Sequence, residues 1–175
     1  MKRTYAILGS VCFLVLAPGM VAGLGPWLIG RWQLRPPFFG LAAFRLLGGA
    51  LIAAGLPLVL DSFARFALQG MGTPAPLLPP RHLVVTGLYR YVRNPMYVGV
   101  AWLIFGQGLL LGEVPLLEYG LLVCLAFHLF VVAYEEPTLR RTFADEYTNF
   151  CAHVPRWLPR LRPWRGGTGP VASSR

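Results

Sequence analysis

The sequence is poor in charge, in cysteine and in acidic side chains. Only 13% of its 175 residues are charged, whereas a soluble domain carries about 25%. Its three cysteines provide no paired disulfide framework. Cys151 with His153 is too small a set for a structural zinc site, which needs about four ligands at short spacings. We therefore expect neither a disulfide-stapled secreted domain nor a metal centre.

Long apolar runs are what the sequence has in abundance. The hydrophobic share is 55%, and the mean hydropathy is +0.55. Runs of about 18 or more apolar residues with few charges predict membrane-spanning helices. The sequence therefore predicts an all-α integral membrane protein with about four transmembrane helices and a C-terminal amphipathic helix. The predicted spans cover residues 6–29, 41–60, 96–111 and 116–133.

The first apolar run allows two interpretations. The basic start before it is also typical of a secretory signal, with cleavage near residues 21–23. The apolar character continues to Ile29, beyond the usual length of a signal's hydrophobic region. We favour a retained helix that is kinked or loosened around Pro18 and Gly19.

Four segments organise the chain. The N-terminal transmembrane helices occupy residues 1–60, and a cytoplasmic connector with a non-helical, proline-rich stretch occupies 61–95. Residues 96–162 hold the C-terminal transmembrane pair and an amphipathic helix, in which apolar residues recur every three to four positions. We expect residues 163–175 to form a flexible tail.

The net charge of +9 orients the chain in a membrane and does not indicate a nucleic-acid partner. Thirteen of the sixteen basic residues lie before the first predicted span, between the second and the third, or after the fourth. That asymmetry predicts cytoplasmic termini and contacts with membrane lipids. We expect no nucleic acid because the basic residues form no stripe with interleaved aromatic residues. Richness in Leu, Arg, Gly, Ala and Pro indicates a GC-rich bacterial source, so we expect the membrane to be a bacterial inner membrane.

A polar cluster opens the third predicted span. Asn94 is a favoured N-cap, and Pro95 suits the first helical position because its missing N–H costs nothing there. The next N–H groups stay unpaired and can receive a carboxylate or phosphate, with Arg93 beside them and Tyr97 one turn in. The alternative interpretation is an ordinary capped helix whose arginine and tyrosine are interfacial anchors.

Paired carboxylates close the fourth predicted span. Glu135 and Glu136 stand next to the hydrocarbon boundary, where adjacent carboxylates are unfavourable unless a cation or water compensates them. A solvated helix junction paired with nearby arginines is the alternative interpretation. If the two span ends meet, they place opposite charges at one membrane face, where a small zwitterion can be held.

Two polar side chains lie deep in the predicted spans. Gln107 lies in the third, between Gly106 and Gly108, and His128 shares one face of the fourth with Glu135. Most such groups are satisfied by a neighbouring helix, and such glycines often serve close helix packing. A direct role for His128 is the less common case.

Together these residues resemble two families of integral-membrane methyltransferases that depend on S-adenosylmethionine, the isoprenylcysteine carboxyl methyltransferases and the phospholipid methyltransferases. The likeness covers about residues 81–160 and rests on the order and spacing of short motifs. Many members have histidine where this chain has Asn94, so a proton-transfer role of that histidine does not carry over. The matching residues are Gly87, Tyr89, Arg90, Arg93, Asn94, Pro95, Tyr97, Gly99, Gly106, Gly108, Glu135, Glu136, Leu139, Phe143, Tyr147 and 154–159.

The resemblance implies that S-adenosylmethionine is the methyl donor. We expect its ammonium at the glutamate pair and its carboxylate at Arg93, Asn94 or the helix N-terminus. Its sulfonium is expected near an aromatic face such as Tyr97 or Tyr134. The expected cofactor-binding residues are Arg93, Asn94, Pro95, Tyr97, Gly99, Gly106, Gly108, Glu135 and Glu136.

The resemblance leaves the acceptor open between a lipophilic carboxylate, a thiol and an amino-lipid, and so between a lipid and a lipidated substrate. Arg93, Glu136 and Arg156 are the residues expected to carry catalysis. Arg156 can pair with an anionic acceptor, although the positive-inside bias explains it equally well.

The alternative function is a small four-helix membrane transporter or an assembly factor without catalysis. A coupled transporter usually needs an ionisable group near the middle of the bilayer. Here all seven acidic residues lie near span ends or in loops, which disfavours transport.

Overall fold

The computed structural model describes residues 17–68, 83 and 85–165, with side chains for all of these except 66–68. Within these ranges all regular secondary structure is helical, which confirms the predicted all-α class. The α-helices are, in chain order, α1 (Gly25–Gly30), α2 (Ala42–Leu68), α3 (Pro95–Leu111), α4 (Val114–Phe130) and α5 (Glu136–His153). The wider π turns are Met20–Leu24 and Val131–Glu135, and the short 3-10 turns are Phe38–Gly40 and Gly87–Arg90.

The first predicted span is helical as far as the structure describes it. The chain is helical from residue 17, widens into the π turn directly after Pro18 and Gly19, and ends as α1 at Gly30. A wide turn of this kind is a recognised helix irregularity, so the predicted loosening is found. Residues 1–16, and with them the question of a cleaved signal, lie outside the described part.

Helix α2 continues to Leu68, beyond the predicted end of the second span at residue 60. Asp61 and Arg65 pair across one turn, with Nε–Oδ2 and Nη2–Oδ1 distances of 2.7 and 2.8 Å. An ion pair at this spacing stabilises a helix, so polar residues expected to begin the connector prolong α2 instead. The proline-rich stretch 73–80 lies outside the described residues.

Glycines bring α2 and α3 into close antiparallel contact. A Cβ placed on Gly48 would lie 2.5 Å from the backbone nitrogen of Leu110, and one on Gly55 would lie 2.9 Å from the carbonyl oxygen of Gly99. The start of α2 thus faces the end of α3. Small residues that let backbones approach are a common means of packing membrane helices, because lipid provides no hydrophobic driving force between them.

Helices α3 and α4 form the second antiparallel pair. Helix α3 begins at Pro95 and ends at Leu111, as predicted, and Gly112 with φ +72° turns the chain. Helix α4 runs back and continues through its π turn into α5, which is kinked at Ala144 with φ +36°. The start of α3 and the end of α4 therefore meet at one end of the bundle.

The packing of α5 confirms the predicted amphipathic helix. Tyr147, Phe150 and Val154 are buried together and contact Leu83 and Val85, which precede the second 3-10 turn. Helix α5 thus holds the last part of the connector in place. The partly buried residues of the same cluster also include Leu139, Phe143, Cys151 and Trp164.

Two helices of the described residues are long and apolar enough to cross a membrane. They are Ala42–Arg65 and the continuous helix Val114–His153, whose most apolar windows are only 17% and 22% buried. Helix α3 is apolar but shorter, with 17 residues, or about 26 Å. Outward leucines such as Leu46 and Leu121 are suited to contact lipid. The predicted count of about four spans stays a prediction.

Candidate functional site

The polar residues that the sequence singled out lie together at one end of the bundle, which we call the charged end. Residues 90–94 enter α3 there, and the glutamate pair leaves α4 there. After α5 the chain returns alongside, and the backbone N–H of Arg93 donates to the carbonyl oxygen of Pro155 at 2.9 Å. Arg93 also reaches Glu136, so the start of the third span and the end of the fourth meet as expected. We call residues 155–164 the returning segment.

Glu136 lies at the centre of an ion-pair network with two arginines. Its Oε1 accepts from Arg93 Nη1 at 3.0 Å and from Arg156 Nε at 2.6 Å, and its Oε2 accepts from Arg156 Nη2 at 3.0 Å. The side chains of Glu136 and Arg93 are only 8% and 12% exposed. Charge-assisted bonds of this kind are short and strong, and they compensate the burial of the charges. The three residues expected to carry catalysis thus form one network.

Arg156 is bound to Glu136 through two nitrogens of its guanidinium group. The hydrogen bond to Glu136 raises the pKa of Arg156 above its ordinary value, and this effect outweighs the opposite effect of burial. Arg156 therefore stays charged. The guanidinium expected to meet an anionic acceptor already has an anionic partner within the protein.

Arg93 has one donor that no other group among the described residues satisfies. Its Nη1 also approaches Cys151 Sγ at 2.9 Å, whereas its Nε is buried without a hydrogen-bond partner among the described residues. A buried donor without a partner costs about 1–3 kcal/mol. An anionic group bound beside Arg93 would relieve that cost. The first turn of α3 lies next to it and adds a positive dipole end.

Asn94 occupies the N-cap position of α3, but its side chain does not cap the helix. Its Nδ2 donates to the carbonyl oxygen of Arg156 at 3.2 Å, and Pro95 is buried at the first helical position. Asn94 therefore takes the predicted N-cap position, but its side-chain amide makes no capping hydrogen bond. The reason is that the returning segment offers a carbonyl oxygen to that amide.

Glu135 is bonded differently from its neighbour. Its Oε2 accepts from Tyr97 Oη at 3.0 Å, and no arginine pairs with it in the part of the chain that the structure describes. Tyr97 packs on Phe127 with ring centroids 4.7 Å apart. Tyr134, the other aromatic candidate, is exposed and stacks on Phe130. Glu135 thus presents a half-buried carboxylate beside an aromatic face, which suits an ammonium or a sulfonium group.

The two deep polar residues have partners in neighbouring segments. Gln107 accepts from Trp32 Nε1 at 3.0 Å and donates to the carbonyl oxygen of Ala22 at 2.8 Å. His128 Nδ1 accepts from Trp157 Nε1 at 3.2 Å. Both side chains are thus bonded to an adjacent element, as in the commoner interpretation, although the His128 side chain is exposed.

The three glycines expected at the cofactor site contact neighbouring helices. Cβ atoms placed on Gly99 and Gly106 would lie 2.8 and 2.7 Å from side chains of α2, and one on Gly108 would lie 2.6 Å from Leu117 on α4. Gly106 also lies about 16 Å along α3 from its first residue. The contacts favour close helix packing as their role, and the structure does not bring Gly106 and Gly108 to the charged end.

The sequence places Arg156 in the site but does not predict that the returning segment docks on residues 90–94. The N–H groups of Arg160 and Trp164 donate to the carbonyl oxygens of Tyr91 and Arg90, each at 2.9 Å. Prolines at every fourth position exclude a helix there. That spacing is the signal from which an extended segment could have been predicted, although not the place where it docks.

The charged end can hold an amino-acid zwitterion such as that of S-adenosylmethionine. Arg93 Nε, a buried donor without a partner in the described part of the chain, can bind the carboxylate, and Glu135 offers a carboxylate to the ammonium. Glu136 is less suited to the ammonium because both of its oxygens already accept from arginines. Of the two glutamates expected to bind the ammonium, Glu135 is therefore the better suited.

Comparison with known proteins decides the family. A sequence profile described as phospholipid methyltransferase matches residues 43–146, more than half of the chain. The chain belongs to the phospholipid methyltransferase family. The matched part runs from the start of α2 into α5 and includes Arg93, Glu135 and Glu136, but it ends before Arg156. One of the two resemblances found in the sequence is thereby confirmed.

A relative of this phospholipid methyltransferase family chain is the phosphatidylethanolamine N-methyltransferase of Laccaria bicolor. The two are 37% identical over 87 residues, which make up 47% of this chain and 9% of that relative. The matched stretch therefore covers only a small part, 9%, of that relative's length. No solved structure matches the chain.

Proposed function

We propose that this protein transfers methyl groups from S-adenosylmethionine to the amine of a membrane phospholipid. The observation that carries the proposal is the meeting of Arg93, Glu135 and Glu136 at one end of the bundle. Membership of the phospholipid methyltransferase family supports the reaction class. The name of the Laccaria bicolor relative supports an ethanolamine phospholipid as the acceptor, in preference to a carboxylate or a thiol.

Two residues hold the amino-acid end of the cofactor in this proposal. Arg93 binds the carboxylate through its Nε, the donor without a partner among the described residues. Glu135 binds the ammonium through the carboxylate oxygen that does not accept from Tyr97. Charge-assisted bonds at both ends recognise the zwitterion and fix its direction.

Glu136 and Arg156 are positioning residues in this account. Glu136 fixes the guanidinium of Arg93, Arg156 fixes Glu136 by a two-pronged bond, and the backbone of Arg93 is fixed by Pro155. A guanidinium that is already ordered loses less conformational entropy when it binds a ligand. Their effect on the reaction therefore passes through the orientation of Arg93.

Orientation and exclusion of water are the main tasks of the protein in methyl transfer. When bound, S-adenosylmethionine would supply an electrophilic methyl group. The acceptor amine, after losing its ammonium proton to water, would form the N–C bond as the S–C bond breaks, and the cofactor would leave as a neutral thioether. Tyr97, Phe127 and Trp157 form an aromatic wall beside Glu135, with ring centroids 4.7 and 6.5 Å from that of Tyr97. Such a wall excludes water and stabilises positive charge.

We also propose that the charged end of the bundle and both termini face the cytoplasm. The family and the two long apolar helices support a membrane protein. The uneven distribution of basic residues supports the orientation, and the composition supports a bacterial inner membrane. Four membrane crossings belong to the same proposal.

Methyl transfer in a defined membrane tests the function. The purified protein is placed in vesicles of phosphatidylethanolamine and phosphatidylglycerol with methyl-labelled S-adenosylmethionine, and the lipids are identified by mass spectrometry. We expect N-methylated ethanolamine lipid, and at least about tenfold less of it from Glu135→Gln. The matched control Glu118→Gln, at an exposed glutamate near the start of α4, should behave as wild type. Wild-type protein that leaves the lipid unlabelled would overturn the proposal.

A further inference from the structure

A cavity lies at the charged end of the bundle, between α2, the 3-10 turn Gly87–Arg90 and the returning segment. Its volume of about 450 Å³ falls within the range of small-molecule sites. None of its lining residues is among those assigned to the cofactor. The residues that matter here are Pro57, Asp61, Arg65, Gly87, Arg90 and Pro163.

The polar part of this cavity carries two guanidinium groups and one carboxylate. Arg65 pairs with Asp61 through bonds of 2.7 and 2.8 Å, and the two side chains are 28% and 32% exposed. Arg90 is fixed by a bond of 2.6 Å from its Nε to the carbonyl oxygen of Trp164. One positive charge is therefore in excess. That balance suits a ligand group with a single negative charge, such as a phosphodiester, for which arginine is a preferred partner.

The absence of a side chain at Gly87 leaves room for the guanidinium of Arg65. A Cβ on Gly87 would lie 1.9 Å from Arg65 Cζ, and Gly87 has φ +57°, a conformation that favours glycine. Two independent features thus require glycine at this position. Arg65 is fixed between Asp61 and the turn before any ligand arrives, which lowers the entropy lost on binding.

The apolar part of the cavity continues onto the lipid-facing side of α2. Pro57 lies one turn before Asp61, lines the cavity and is exposed. Its neighbours Leu56 and Leu60 are each 48% exposed. The cavity therefore runs from paired charges to an apolar helix surface. A phospholipid has the same order of parts, from the headgroup to the acyl chains.

Tyr89 connects this cavity with the proposed cofactor site. It lies in the chain between Leu88 and Arg90, which both line the cavity. Burial raises the pKa of the Tyr89 hydroxyl, and the negative charges of Glu135 and Asp61 raise it further. In the chain, Arg90 of the cavity precedes Arg93 of the proposed cofactor site by three residues.

We propose that this cavity binds the headgroup of the phospholipid acceptor, with the phosphodiester at Arg65 and Arg90 and the amine turned toward Tyr89 and Glu135. The proposal rests on the methyltransferase function proposed above and adds the residues that select the acceptor. It implies that a lipid with both a phosphodiester and an amine is preferred over a lipid that has only one of them.

Lipid binding tests the cavity without turnover. Native mass spectrometry of the purified protein titrated with phosphatidylethanolamine gives the lipid affinity, and equilibrium dialysis with labelled S-adenosylmethionine gives the donor affinity. We expect Arg65→Gln and Arg90→Gln each to weaken lipid binding at least about tenfold and to change donor binding less than about twofold. Arg90→Lys keeps the charge and should restore part of the lipid affinity. Arg141→Gln, at an exposed site on α5, is the matched control.

A soluble analogue separates a lipid site from a site for a free phosphodiester. Glycerophosphoethanolamine has the same phosphodiester and amine but no acyl chains, and we expect it to bind much more weakly than the lipid. Equal binding of the two compounds would overturn the lipid assignment. Wild-type lipid affinity in both arginine-to-glutamine variants would overturn the cavity assignment even if the wild type methylates lipid. A wild type that binds lipid at these arginines but transfers no methyl group would instead refute the proposed function.

Discussion

Glu135 and Glu136 are adjacent in the chain but serve different purposes. Glu136 accepts three hydrogen bonds from Arg93 and Arg156, so its charge is compensated within the protein. Glu135 accepts one hydrogen bond from the neutral hydroxyl of Tyr97, so its charge remains available to a cation. Glu136 is a structural anchor for the arginines, and Glu135 is the proposed ligand of the cofactor ammonium.

This division predicts different losses of stability for two matched substitutions. Removing one partner of a buried ion pair costs about 3–5 kcal/mol because the remaining charge stays buried and unpaired. Arg156 is partly exposed, so we expect Glu136→Gln to cost about 3 kcal/mol, the lower end of that range. Glu135→Gln still accepts from Tyr97 and should cost less than about 1 kcal/mol. Denaturant unfolding in detergent measures both, and equal losses would contradict the division.

At these residues the sequence predicts which side chains meet but not how they bond. The positions of Arg93, Asn94 and the glutamate pair at two span ends predict a common site, and the structure brings them together. The pairing depends on Arg156, which follows Glu136 by 20 residues and lies beyond the end of α5. Tertiary packing of the returning segment decides where Arg156 lies, and no local pattern encodes it.

At the level of helices, the contact between α2 and α3 makes a prediction about two neighbouring glycines. A Cβ on Gly48 would meet the backbone of Leu110 at 2.5 Å, which no side-chain rotation can relieve. We expect Gly48→Ala to destabilise the protein by about 1–3 kcal/mol. A Cβ on Gly49 meets nothing within 4 Å, so Gly49→Ala should be neutral or stabilise by up to about 1 kcal/mol. The unfolding free energies of the two variants test this prediction. Similar values would contradict the close contact between Gly48 and the backbone of Leu110.

The 3-10 turn before α3 makes a second prediction at this level. Gly40 and Gly87 both have positive φ, but only a Cβ on Gly87 meets another side chain, that of Arg65. We expect Gly40→Ala to cost about 1–2 kcal/mol for the backbone conformation alone. Gly87→Ala should cost more and should also weaken phosphatidylethanolamine binding, because Arg65 is displaced. Unfolding experiments measure the stability of the two variants, and lipid titration measures their affinity for phosphatidylethanolamine. Equal stability and equal lipid affinity would contradict the role of Gly87 in positioning Arg65.

The helices themselves were predictable where strong local signals mark their ends. Pro95 and Gly112 bracket α3, and the apolar periodicity after Pro137 gives α5. The end of α2 was not predictable from polarity, because Asp61 and Arg65 look like loop residues until they pair along the helix. A local ion pair, four residues apart, prolongs the helix there, and composition alone does not reveal it.

The molecule as a whole has two polar ends and an apolar middle. At the end opposite the proposed cofactor site, the side chain of Glu113 is only 1% exposed. Its Oε2 lies 2.5 Å from Arg35 Nε. The deep residues Gln107 and His128 already have partners. A coupled transporter usually needs an ionisable group near the middle of the bilayer to couple substrate and ion, and His128 alone lies deep in the predicted spans. This distribution of polar groups favours a catalytic site at one membrane face over a transport path.

The most direct measurement of this account is the affinity of the purified protein for labelled S-adenosylmethionine in matched variants. We expect the wild type to bind the cofactor, and we expect Arg93→Gln and Glu135→Gln each to lose at least about tenfold in affinity, because each removes one charged group of the site. The controls Arg141→Gln and Glu118→Gln remove exposed charges of the same sign and should stay within about twofold of wild type. Wild-type affinity in both site variants would contradict the account.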